Sequence, residues 1–355
     1  ITMYHWDIPM SINHLGGWSH PKIADYLTDL ADLLFSLYGD RVKTWITLNE
    51  PYTFCMEIIH RLSNYDHTLP VGIDEYLCSY NVLITHANIY RLYQSKYKLK
   101  QRGRVSLALV LHYYLPASNS AADTAAAERM RLFDTGIFIH PLVHGNFPPV
   151  VIDIVRNYSA IQGFPESRLP RFTLQEIIKI KGAYDFLGIN HYTTRIARAN
   201  NTIVDSNPTL GNDAGAEVFQ HPSWETAASE WLKVYPEGFR GALNWIKDSY
   251  KNPEIVILEQ GFSDLGELND TRRINYMQSY LSEGLKAIHL DKVRLTAYTQ
   301  WSLLDNFEWS WGYTVKFGVH HVDFESENRT RTPKQSAFFY RKVIETKCLV
   351  DQCIG

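Results

Sequence analysis

The sequence predicts an α/β fold, a (β/α)8 TIM barrel of which this chain supplies about six of the eight βα units. Three observations lead there. Apolar, strand-like runs alternate with helical patterns along the chain, the signature of parallel βαβ units. Polar residues gather where the runs stop: His5 and Asp7, Asn49 and Glu50, Asn190 and Tyr192, Glu259, Trp301 and Glu308. Reactive side chains at the C-terminal ends of successive parallel strands are the arrangement of such a barrel. No internal repeat or low-complexity linker interrupts the 355 residues, so residues 1–355 read as one domain.

The elements follow in order. The first strand is Ile1–Tyr4, running into "HWDIP". In "YLTDLADLLFSLYGD", Leu27, Leu30, Leu33, Leu34 and Leu37 recur at helical spacing, with Gly39 as the C-cap. "VKTWITLNEP" is a strand that stops at Pro51. A helix around Tyr80–Tyr93 leads to "RVSLALVLHYYLP", read as one strand closed by proline. A long helical region, Ala121–Ile139, precedes the strand "YDFLGINHYTT". The polar stretch Asn200–Pro222 reads as a loop. The helix "GFRGALNWIKDSY" then enters "EIVILEQG", and a helix over Arg273–Ala287 precedes the sixth strand, in "RLTAYTQWSLLDNFEW". The chain starts without Met inside an apolar run, which places the two remaining strands before Ile1 and makes the chain N-terminally truncated.

Composition removes several classes of function. The net charge is −3 with both signs mixed and no basic tract for a phosphate backbone, so nucleic acid is not expected as a partner. No apolar run approaches the roughly 18 residues of a membrane span. No His/Cys/Asp cluster points to a metal, and no cofactor is expected. The 22 Tyr, 16 Phe and 9 Trp are core material first, but aromatic faces also suit the apolar faces of sugars. Cys348 and Cys353 are close enough in sequence to bridge, whereas Cys55 and Cys78 have no evident metal partners. Asn-X-Ser/Thr triplets at Asn157, Asn200, Asn269 and Asn328 lean weakly toward a secreted or lumenal glycoprotein.

Two carboxylates stand out. Glu50 and Glu259 each end an apolar run, about two hundred residues apart. A carboxylate at the mouth of a buried run is costly unless it is paired or used. One such Glu is usually a salt-bridge partner or a solvated loop residue. Two at equivalent strand ends, beside Asn49 and Trp301, fit glycoside hydrolysis: one protonates the leaving oxygen and the other attacks the anomeric carbon or activates water.

The segments "YHWDIP", "GGWSHP", "TWITLNEP", "DFLGINHYTT", "ILEQGFSD" and "WSLLDNFEWSWGYTVKFGVHHVDF" resemble glycoside hydrolase family 1, the β-glucosidase family, in an animal, insect-like version. They occur in the family's order over essentially the whole chain. The resemblance implies that Glu50 is the general acid/base and Glu259 the nucleophile of a retaining reaction through a glycosyl-enzyme, with the carboxyls roughly 5 Å apart. It implies that Asn49 bonds the sugar 2-hydroxyl, that Tyr192 holds the nucleophile and that His5 binds a ring hydroxyl. Trp301 would be the platform beneath the sugar, Trp309 an indole donor and Glu308 the acceptor for two hydroxyls. A carboxylate at Glu308 would repel a 6-phosphate, which favours unphosphorylated β-glucosides, with galactosides and fucosides as further candidates. Glu50 must be protonated and Glu259 ionised when substrate binds, and the neighbouring negative charge raises the acid's pKa until glycosylation removes it.

The chain also departs from the pattern. The family's first two strands supply a Gln for sugar hydroxyls and an Arg beside the nucleophile; without them a barrel has two open edges. The nucleophile is flanked by Leu258 and Gln260, where the family has Thr and Asn. After "NEP", "MEIIHRLSNYDHTLP" replaces a glycine-containing loop that shapes the leaving-group entrance. Two other readings stay open: a catalytically inactive sugar- or protein-binding relative, and a myrosinase-like thioglucosidase. The latter's leaving group needs little protonation, so retention of Glu50 argues mildly against it.

Overall fold

A computed structural model describes residues 1–58, 72–200 and 208–350. The chain divides into two compact units, Ile1–Ile189 with Ile196–Phe219, and Asn190–Arg195 with Gln220–Gly355. The first unit holds β1 (Thr2–Tyr4), β2 (Thr44–Asn49), β3 (Arg104–Val110), β4 (Tyr113–Pro116), most of β5 (Leu187–Asn190) and of β6 (Thr194–Ala199), and β7 (Ala216–Phe219). The second holds β8 (Ile255–Glu259), β9 (Leu295–Tyr298), β10 (His320–Val322) and β11 (Arg331–Pro333). The six runs read as strands in the sequence are β1, β2, β3, β5, β8 and β9.

In the first unit the order is β1-β2-β3-β5. β1 and β2 are parallel, with Tyr4 opposite Leu48, and β2 and β3 are parallel, with Trp45 opposite Val105. A register shift lies between Ile46 and Asn49, at the end of β2 that delivers Asn49 and Glu50. Residues 45–49 of β2 are buried without a break, as expected of a strand covered on both faces. The helix Asp74–Leu92 covers this sheet and buries residues all round its circumference, from Tyr76 and Cys78 to His86 and Tyr90. Two of its acidic and amide residues find partners: Glu75 accepts from the Leu210 N–H, and Asn81 donates to the Trp18 carbonyl. Asp213 accepts from the Tyr76 hydroxyl and pairs with buried Arg168.

Three sequence readings are corrected here. The leucine stripe of the helix Ile23–Tyr38 is not one buried face. Ile23, Ala24, Ala31 and Phe35 are buried, whereas Leu30, Leu33 and Leu37 are exposed. The helix carries two apolar lines, and periodicity alone does not say which one meets the core. "RVSLALVLHYYLP" is two strands: β4 leaves the parallel set to join the separate sheet β4-β6-β7. The stretch read as a loop over Asn200–Pro222 contains the short helix Leu210–Asp213 and β7, antiparallel to β6 with Ala199 opposite Ala216; its residues 201–207 lie outside the described residues. So does most of "MEIIHRLSNYDHTLP". Cys55 and Cys78, left unassigned by the sequence, form a disulfide with 5.6 Å between their Cα atoms. Cys348 is also disulfide-bonded; Cys353, its sequence-level candidate partner, is outside the described residues.

In the second unit β8 and β9 are parallel, with Ile255 opposite Leu295, and β10 and β11 form an antiparallel pair. The helices Pro236–Ser249 and Thr271–His289 pack through Phe239, Leu243, Tyr276 and Tyr280, the two tyrosines stacking at 4.0 Å. Beneath them lies a buried ionic cluster. Lys334 Nζ is 3.1 Å from Asp264 Oδ1 and 3.3 Å from Asp305 Oδ1. Arg273 donates to Asp270 at 2.9 Å, to the Phe317 carbonyl at 2.7 Å, and to Asp264 and the Phe262 carbonyl. Lys334 and Arg273 are 0% exposed, so each charge depends on these partners.

Replacing Lys334 by Met leaves Asp264 and Asp305 buried without their shared cation. The expected loss is about 3–5 kcal/mol in urea unfolding, with Lys334→Arg recovering a substantial part. A loss below about 1 kcal/mol would show that the cluster is solvated and marginal.

Candidate active site

The first unit places three of the expected residues together. Glu50 follows β2 directly and is 7% exposed. Its φ is +47°, a left-handed conformation that a residue with a Cβ adopts only at a cost, and such strain concentrates at functional positions. The Thr53 hydroxyl donates to Glu50 Oε2 at 3.0 Å. Asn49 is buried, and its side-chain nitrogen lies 3.2 Å from His5 Nε2. Trp6, also at positive φ, donates its indole N–H to the Asn49 carbonyl at 3.0 Å. Burial lowers the His5 pKa, the nearby Asp7 charge acting in the opposite sense. His5 is therefore a neutral hydrogen-bonding group rather than a cation near neutral pH. Below these residues Phe54 packs on Tyr4 and Trp18, with ring centroids at 5.3 and 4.9 Å.

The second unit holds the other five. Glu259 ends β8, and the Tyr192 hydroxyl donates to its Oε2 at 2.8 Å. Tyr192 is fixed from behind, where Tyr276 donates to its carbonyl, and its ring meets Trp231 and Phe317 edge-on. The His191 N–H donates to the Glu259 carbonyl, which sets the backbone on which the carboxylate stands. The next residue, Gln260, is fully buried with neither amide atom hydrogen-bonded.

The segment after β9 is laid against the one that follows Glu259 by the backbone. The Trp301 N–H donates to the Gln260 carbonyl, and Ser302 N–H to Phe317. Two glycines permit this approach. A Cβ on Gly261 would meet the Trp301 carbonyl, and one on Gly318 would meet the backbone of Leu304 and Asp305. The Trp301–Ser302 peptide is cis.

Glu308 is 8% exposed and accepts from Trp301, while its Oε1 is buried without a partner. Desolvation chiefly, with the nearby Asp305 charge adding to it against the Trp301 hydrogen bond, pushes its pKa up to about 7. Trp309 is 46% exposed at φ +48°. Thus Tyr192 meets Glu259 and Trp301 meets Glu308. Thr53, Trp6, Asp305 and Lys334 escaped the sequence reading. Thr53 lies one turn after Glu50 and Asp305 three residues before Glu308, so proximity to a candidate was the available signal. Lys334 had none.

The first unit supplies one strand-end carboxylate held by a hydroxyl; the second supplies another so held, and a buried carboxylate with an unused acceptor beside an indole. Among the described residues no group of three or more His, Cys, Asp or Glu side chains could hold a metal ion. No described helix is long and apolar enough to cross a membrane.

Residues 1–349 match the model of glycosyl hydrolase family 1. The chain belongs to that family. Its α/β fold class, a (β/α)8 barrel, is the family's. It is 40% identical over 356 residues to the cytosolic beta-glucosidase of Homo sapiens, covering 98% of this chain and 75% of that one. It is 38% identical over 349 residues to Myrosinase 1 of Brevicoryne brassicae, covering 98% and 74%. A rice beta-glucosidase mutant solved in a covalent complex with Glc superposes with a TM-score of 0.87 at 33% identity, covering 96% and 74%. A carbohydrate is therefore the class of substrate.

The raised pKa of Glu308 has a stability consequence. A carboxyl whose folded pKa lies above its unfolded value leaves the protein relatively stable below about pH 4.5, and that advantage is lost as pH rises through about 7. Glu308→Gln is expected to match the wild type near pH 4 and to exceed it by about 1–3 kcal/mol at pH 8. Urea midpoints at the two pH values test this; an equal difference at both would show that Glu308 does not titrate above the ordinary carboxylate range.

Proposed function

We propose that this family 1 protein is a retaining β-glycosidase acting on terminal β-D-glucosides. The observation that carries the proposal is that Glu50 and Glu259 each stand at a strand end with a hydroxyl donor on the carboxylate, Thr53 on one and Tyr192 on the other. In this reading Glu259 attacks the anomeric carbon while Glu50 gives its proton to the leaving oxygen. Glu50 then takes a proton from the water that releases the sugar. Tyr192 orients the nucleophile and lowers its charge density until attack. Asn49 bonds the 2-hydroxyl, a contact that strengthens as the oxocarbenium ion develops, and His5 bonds another ring hydroxyl. Trp301 stacks beneath the ring, and Trp309 donates an indole N–H. The unpartnered Oε1 of Glu308 accepts from sugar hydroxyls, and its carboxylate disfavours a 6-phosphate. The covalent complex of the rice relative supports a glycosyl-enzyme route.

A thioglucosidase is the second reading, and the similarity to Myrosinase 1 supports it. It shares the nucleophile and needs the acid less. A secreted or lumenal location is also proposed. Buried disulfides persist in oxidising compartments, and this chain has the bridge Cys55–Cys78 and a bonded Cys348.

On p-nitrophenyl β-glucoside, Glu50→Gln is expected to lose about 10²–10⁴-fold in turnover, the range for general acid–base catalysis. Inactivation by a 2-fluoro-glucoside should leave its label on Glu259, read by peptide mass spectrometry; a label on another residue refutes the assignment. A thioglucoside cleaved faster than the oxygen glucoside would favour the second reading. For location, protein from an animal-cell secretory expression should carry N-glycan at Asn269 and Asn328, which are exposed. Asn157 should be bare, because it sits in the helix Pro149–Ile161 with the Ser159 hydroxyl buried against Val155. Glycan-free peptides at all of these positions would remove support for that route.

A further inference from the structure

The helix Asp74–Leu92 grips the chain on both sides of Glu50, and neither contact belongs to the roles just described. Upstream, His86 Nδ1 lies 2.8 Å from Thr47 Oγ1 in β2, three residues before Glu50. The other ring nitrogen, Nε2, lies 2.5 Å from the Ala183 carbonyl. A carbonyl only accepts, so Nε2 carries the proton and Nδ1 accepts from the Thr47 hydroxyl. Burial pushes the His86 pKa down to about 4, which keeps this tautomer in place through neutral pH. Downstream, Cys55 lies five residues after Glu50 and is bonded to Cys78, both 0% exposed. His86 and Cys78 are two turns apart on one helix, ~12 Å along its axis.

Between these anchors Glu50 holds a left-handed backbone and takes a hydrogen bond from Thr53, in the turn that Cys55 pins. A strained residue persists only where its surroundings over-determine it. We propose that the helix Asp74–Leu92 positions the general acid, holding its strand through His86 and the following turn through the Cys55–Cys78 disulfide. This rests on the proton-donor role of Glu50 stated above. Cys55, Cys78, His86 and Thr47 are positioning residues: they act on the proton donor and touch no substrate.

A misplaced acid has a signature that general loosening lacks. Proton donation matters in proportion to how poor the leaving group is. Dinitrophenolate departs without help, and phenolate does not. The test compares kcat/KM for 2,4-dinitrophenyl and phenyl β-glucosides in the full chain and in Cys55→Ala/Cys78→Ala, with Tm measured alongside. Loss is expected to be about tenfold or more for the phenyl glucoside and less than about twofold for the dinitrophenyl one. Equal losses on both substrates, or none, overturn the proposal. Should the double variant not fold, Thr47→Val keeps the disulfide and removes the hydroxyl that His86 holds; the same split is expected, and an equal fall overturns it. A wild-type protein that cleaves neither glucoside overturns the hydrolase reading, and the positioning role with it. Wild-type activity with unsplit variants overturns the positioning role alone.

Discussion

The second unit depends on charges removed from water. Asp264 and Asp270, from the connection after β8, and Asp305, from the segment after β9, meet Arg273 and Lys334 in the interior. An isolated buried ion is prohibitively costly, so each group needs every partner it has. The carboxylates also take backbone donors: Gly266 N–H on Asp264, Gly318 and Val322 on Asp305, and Ser336 on Asp270. His321 Nδ1 stands 3.3 Å from Asp305 without hydrogen-bond geometry. The result is directional. Asp264 lies five residues beyond Glu259, and Asp305 lies between Trp301 and Glu308, so Lys334 ties the segment after Glu259 to the segment bearing Trp301 and Glu308.

The first unit uses other means to the same end. Around Glu50 it places a buried disulfide, a neutral buried imidazole and packed rings. The two solutions share a logic: a backbone that would relax if left alone is fixed by contacts set back from the reacting atoms. Trp6, Glu50 and Trp309 hold positive φ, as several residues remote from them also do, and all three are, or adjoin, residues with proposed roles.

The sequence made the strand ends legible because period-2 and buried runs end abruptly at polar residues, as at "TLNE" and "VILE". It made the candidate residues legible because each lies in a short, chemically distinctive motif. Other features had no local signal. Lys334 and Asp264 are seventy residues apart, and nothing in "TPKQS" says that its lysine is buried. Cys55 and Cys78 pair across 23 residues, a choice among several that spacing does not fix. β4, β6 and β7 are only four to six residues long, so they read as loop or as extensions of neighbouring strands. In the helix Ile23–Tyr38 the apolar residues are too many for one face, and only packing selects between the two lines.

The glycine contacts at positions 261 and 318 limit how this protein can be remodelled. At both points backbone lies against backbone with no room for a methyl group. The segment bearing Trp301 and Glu308 therefore has no lateral play against the one bearing Glu259. Under the proposed roles, a new sugar preference there comes from exchanging side chains on a fixed trace, not from shifting the loop. Drift by natural variation is confined in the same way, to changes in what the segment displays.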